Sequence, residues 1–133
     1  MKTIKKLIAE LRNEKLDHLE VKKINGQLWV IFPDNRKQRI DILQLGKYYT
    51  FRSVVLGKAK VNQYDEDWLL SYIWQENKET PLVSYQIDKK GRLTGRITQL
   101  IETLDKEELL FYIEILAKEC DRLEYLLTGK DQN

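Results

Sequence analysis

The chain has 133 residues, 42% of them hydrophobic and 33% charged. That is the length of one domain with its own core, too apolar to stay disordered and too charged to be a membrane span. Lysine and arginine number 23 against 21 aspartates and glutamates, a net charge of +2, without the basic excess of a dedicated nucleic-acid binder. One cysteine and one histidine exclude an internal disulfide, a Cys/His zinc cluster and a four-cysteine iron–sulfur site. Glu10, Arg12 and Glu14 interrupt the apolar run that a signal peptide would need. The longest uncharged apolar-rich stretch, Trp68 to Trp74, is too short to cross a bilayer. A lone thiol suits a reducing compartment, so a cytoplasmic protein is expected.

In chain order, Ile4, Leu7, Ile8 and Leu11 recur at helical spacing and predict an amphipathic helix over residues 3–16, with Thr3 as N-cap. Leu19 to Ile24 and Gln27 to Phe32 flank Asn25-Gly26, the strongest short hairpin signal, because both residues accept positive φ. Pro33-Asp34-Asn35 is a second turn. Arg36 to Leu43 reads as a strand broken by Gly46, and Tyr48 to Val61 as another, punctuated by Gly57. Tyr64 to Asn77 reads as the second helix. Its acidic start at Asp65, Glu66 and Asp67 complements the helix dipole, and Thr80-Pro81 closes it. Leu82 to Ile87 and Arg92 to Leu100 form a second hairpin around Asp88-Lys89-Lys90-Gly91.

In the last helix Asp105 caps and Glu108 stands at the third helical position, a capping-box pattern. Leu109, Ile113, Leu116, Cys120, Leu123 and Leu127 then make one apolar seam, ended by Gly129, with residues 130–133 as a frayed tail. The whole reads as a single α+β domain over residues 1–133: a first helix, an antiparallel meander of three or four strands, a central helix, two more strands and a last helix, with the helices against one face of the sheet.

Three passages are similar to the YbjN / type III secretion chaperone-like superfamily. Trp29 to Ile40 holds an apolar strand, a Pro-Asp turn and then Arg36-Lys37-Gln38-Arg39. Tyr85 to Leu93 holds an Asp-x-x-Gly-Arg turn, and Thr103-Leu104-Asp105-Lys106-Glu107-Glu108-Leu109 resembles the start of the superfamily's last helix. The resemblance implies an α-β-β-β-α-β-β-α order, a homodimer and a non-enzymatic role holding an unidentified protein client, as an assembly or secretion-type chaperone. The aromatic density of Trp68, Tyr72 and Trp74 departs from the pattern.

The residues themselves name no catalytic set, metal site or cofactor. His18 lacks companion ligands, and Cys120 lies on the core seam between Glu119 and Asp121, the wrong setting for a nucleophile. No glycine-rich phosphate loop occurs. Arg36, Lys37 and Arg39, joined by Lys58 and Lys60 from a neighbouring strand, make a candidate anion contact. This is the basis of an alternative reading as a regulator touching nucleic acid. In the second helix the apolar residues between Trp68 and Trp74 sweep roughly 240° of the wheel, where one sheet face covers about 100–150°. Trp68, Tyr72 and Leu69 are therefore the expected dimer contacts. Phe111 and Ile115, which with Leu126 form a second stripe on the last helix, are the expected client contacts.

Overall fold

The computed structural model of the protein describes residues 4–100 and 104–129. Its centre is a seven-stranded sheet of β1 (Glu14–Lys15), β2 (Glu20–Ile24), β3 (Gln27–Ile31), β4 (Lys37–Leu45), β5 (Tyr48–Leu56), β6 (Ser84–Ile87) and β7 (Leu93–Leu100). Every neighbouring pair is antiparallel, in the order β1-β2-β3-β4-β5-β7-β6. The first five strands are a meander, while β7 joins β5 and leaves β6 at the edge. The helices are α1 (Ile4–Glu10), α2 (Lys58–Val61), α3 (Glu66–Glu79) and α4 (Lys106–Thr128). The fold is the α+β class expected, with helices before, within and after the strands.

The turn chemistry sets the register. Asn25 and Gly26 take φ of 53° and 78°, and the tight turn places Ile24 opposite Gln27. In the later hairpin Asp88 Oδ1 accepts from the backbone N–H of Lys90 and of Arg92, each at 2.9 Å, around Gly91.

Three boundaries differ from expectation. The first helix stops at Glu10 because the apolar stripe ends at buried Leu11. Residues 14–15 then pair with β2, Glu14 facing Val21, while Thr3 lies outside the described residues. The strand expected over 48–61 ends at Leu56. Its alternation fails beyond Gly57, which starts the single turn of α2, so Lys58 and Lys60 sit on a helix and not on a strand. The second helix begins at Glu66 because the Asp65 side chain caps it, accepting from Trp68 N at 3.0 Å.

Helix α4 opens as its sequence pattern requires, with Asp105 accepting from Glu108 N at 2.8 Å, and closes on left-handed Gly129. Its seam residues Leu109, Ile113, Leu116, Cys120 and Leu123 are fully buried against β3, β4, β5 and β7, with Leu127 partly buried. Contact is closest at Gly95 on β7, where a Cβ would stand 2.7 Å from Cys120 Sγ and 3.1 Å from the Tyr85 ring. The polar groups beneath are satisfied: Gln38 Nε2 donates to Ser53 Oγ at 2.7 Å, and Ser53 Oγ donates to the Arg39 carbonyl at 2.7 Å. Helix α1 covers the same face further along, its Ile4 N–H donating to Tyr49 Oη at 3.1 Å.

Gly95→Ala should therefore destabilise the fold by about 1–3 kcal/mol through overpacking. Adding Cys120→Ala, which removes the clashing sulfur, should recover part of that loss. Urea unfolding of the two single variants and the double variant reads the coupling.

Candidate protein-interaction surfaces

Helix α3 buries only the stripe Leu69, Ile73 and Glu76, spaced i, i+4, i+7. It docks along β6 through Asn77, whose side chain donates to the Tyr85 carbonyl at 2.9 Å and accepts from Tyr85 N at 2.6 Å. It is tied to α4 by Arg122, which donates to Glu76 at 2.7 Å and to Glu119 at 2.9 Å. Partial burial would lower the Arg122 pKa, but the hydrogen bonds to Glu119 and Glu76 outweigh it and hold the guanidinium firmly charged. Tyr64 Oη adds a bond to the Leu127 carbonyl at 3.0 Å, just before α3 begins.

Both shoulders of α3 are left outside. On one, Tyr64, Trp68 and Tyr72 form a ladder with ring centroids 5.9 and 5.2 Å apart, and Trp68 is 50% exposed. On the other, Leu70 is exposed beside Trp74, which is 63% exposed with Lys78 Nζ 4.4 Å above its ring. The wide apolar arc is thus buried at its centre and open at its edges. Of the three expected dimer contacts, Trp68 and partly buried Tyr72 are presented. Leu69 is not: at 3% exposure it faces the core, because it lies in the middle of the arc.

On α4, Phe111 is 53% exposed and packs edge-on against Tyr112, while Ile115 is partly buried. Tyr125 and Leu126 form a second exposed apolar pair near the C-terminal end. Lys118, bridged to Glu114 at 3.3 Å, and the Arg122 cluster interrupt the stripe between them.

The basic cluster is dispersed. Arg36 pairs with Asp34 at 2.6 Å and with Asp121 of α4, and its guanidinium lies over the Phe32 ring, so it fastens the sheet to α4. Lys37, Arg39 and Lys60 line one cleft of about 340 Å³ with Trp29 and Gln38, but Asp41 and Glu124 share it. Lys58 lies elsewhere, its side chain alongside Gly91. His18 is exposed, 3.5 Å from Asp17. Burial pushes the Cys120 thiol up, away from thiolate chemistry. Among the described residues no group of three His, Cys, Asp or Glu side chains could hold a metal ion, and no helix is long and apolar enough to cross a membrane.

Sequence reasoning missed a third surface. Helices α1, α3 and α4 all lie on one face of the sheet. On the other face, rows of side chains cross the strands, including Leu45–Tyr48–Leu100 and Asp41–Arg52–Arg96–Ser84. Strand alternation marks these residues as facing away from Phe51 and Ile97. Their grouping depends on β7 joining β5, which nothing in the local pattern specifies.

No model of a known protein family matches the chain, and no curated protein matches it. Among solved structures, a chain of the "Crystal Structure of the ExsC-ExsE Complex" superposes with a TM-score of 0.61 at 14% identity, covering 93% of this chain and 92% of that chain. At that identity the likeness shows the fold alone: the same α+β architecture over nearly the whole chain.

Neighbouring positions on α3 should separate core from surface. Leu69→Ala should cost about 2–5 kcal/mol as a core truncation. Trp68→Ala should cost about 1 kcal/mol or less when both are compared as monomers by urea unfolding at low protein concentration.

Proposed function

We propose that this chain is a non-enzymatic protein-binding module, an assembly or secretion-type chaperone or adaptor akin to the YbjN / type III secretion chaperone-like superfamily. It works in the cytoplasm as a homodimer. The observation that carries the reading is the exposed aromatic surface on a helical layer otherwise fastened down by ion pairs. Trp68, Leu70 and Trp74 on α3, and Phe111, Tyr125 and Leu126 on α4, stand half or more in water or close to it. Monomers rarely leave large contiguous apolar patches open. The fold is also that of a chain seen in a protein–protein complex, the ExsC-ExsE complex.

Trp68 and Tyr72 are assigned to self-association, since a twofold axis beside α3 would bury both ladders against each other. Phe111 and Ile115 are assigned to the client. A nucleic-acid role through Arg36, Lys37 and Arg39 has less support, because Arg36 is engaged by two carboxylates and carboxylates line the cleft of the other two.

Sedimentation velocity tests the assignment. The unmodified chain should run at twice the monomer mass at micromolar concentration, and Trp68→Ala/Tyr72→Ala as a folded monomer. Identical monomers from both would end the self-association reading.

A further inference from the structure

The sheet face opposite the helices carries an unusual charge arrangement. Arg52 on β5 stands directly across from Arg96 on β7, a like-charged cross-strand pair on two interior strands of the sheet. The one carboxylate in their row, Asp41, lies 3.9 Å from Arg52 Nη2 and is shared with Arg39 at 3.5 Å. Arg96 has no carboxylate partner among the described residues. The Nε atoms of both arginines are shut off from water with no acceptor. Such orphaned donors are rare and costly in a folded chain. On β4 the face turns apolar at Leu43, two residues beyond Asp41; β5 and β7 carry the hydrogen-bonded pair Thr50 and Thr98 in that row, and the apolar patch continues into Leu45, Tyr48 and Leu100. All four apolar residues are exposed, Leu45 at 66%. The leucine–tyrosine–leucine row lies about 13 Å from the arginine row, four residues of strand.

We propose that this face binds an acidic, apolar protein segment, its apolar side chains on Leu43, Leu45, Tyr48 and Leu100 and its carboxylates on Arg52 and Arg96. Charge decides the occupant. A second copy docked face to face would set one cationic row over another and leave both unrelieved. A nucleic acid would meet leucines where its next phosphates need cations. A carboxylate supplies what the row lacks, and paired guanidinium groups suit its two oxygens. The inference rests on the protein-binding reading and names the chemistry of the partner.

The intact chain is panned against a displayed library of random pentadecapeptides, and the strongest binder is synthesised twice, with its acidic residues intact and with each replaced by glutamine. Wild type should select sequences that combine acidic with leucine-type or aromatic residues. The glutamine form should bind at least about tenfold more weakly, and salt should weaken the acidic form. Arg52→Gln/Arg96→Gln should lose the acidic preference, while Arg96→Gln keeps or raises the thermal midpoint because a like-charge neighbour is relieved. Equal binding of the two peptides, the same preference in the double variant, no enrichment at all, or a lowered midpoint for Arg96→Gln would each overturn the inference. So would full displacement of the peptide by oligothymidylate at equal concentration, which would point to nucleic acid. Sedimentation of the Trp68 variant is independent of these outcomes, so a failed arginine row and a failed dimer reading are told apart.

Discussion

The close approach of α4 to β7 at Gly95 organises the molecule. With no side chain there, the helix lies down on the strands and Cys120 fills the space a Cβ would take. A seam of seven buried α4 residues then covers the middle of the sheet, and α1 and α3 fill the flanks of the same face. Everything apolar on that side has a place. Among the described residues nothing equivalent covers the reverse side, and α3, docked by a single stripe, leaves both shoulders bare. The surplus apolar surface therefore follows from a helical layer built on one face only.

Arginine placement separates structure from availability. Arg36 and Arg122 both reach carboxylates on other elements, Asp121 and Glu76, and hold the sheet and α3 to α4. Each ties parts of the chain that are distant in sequence and partly shielded from water, where a charged pair is worth more than on an open surface. Arg52 and Arg96 have the same chemistry, but their row holds a single carboxylate, Asp41, which lies 3.9 Å from Arg52 and is shared with Arg39. A net charge of +2 hides this difference, because the compensating carboxylates lie mainly on the helical side and in turns. Charge that is balanced over the chain is unbalanced over one face.

What the sequence revealed divides along the same line. Local chemistry was legible: the Asn25-Gly26 turn, the Asp105 cap, the Gly129 stop and the α4 seam depend on residues a few positions apart. The width of the α3 apolar arc was legible too, and it marked Trp68 correctly as surplus. Leu69 was misassigned because periodicity shows how wide an arc is, not which part of it meets the sheet. The arginine row was invisible because it needs Tyr48–Leu56 to pair with Leu93–Leu100 across some forty residues, past the intervening Ser84–Ile87. Lys58 and Lys60 were placed on a strand because β-branched and aromatic residues run up to Leu56, and only Gly57 marks the change.

The sheet edges explain why partners should meet faces. An open edge strand offers its backbone for strand addition, the commonest way an extended segment joins a sheet. Here β6 is short, and the outward backbone N–H and carbonyl of Tyr85 are already taken by Asn77. The opposite edge, β1, is two residues long, with Glu14 held by the Arg12 backbone and by Lys106 at 3.4 Å. Neither edge can pair with more than a few residues of a visiting strand. Side chains are therefore the larger offer to a partner: the exposed aromatics of α3 and α4, and on the reverse face Arg52 and Arg96, whose row holds only the Asp41 carboxylate.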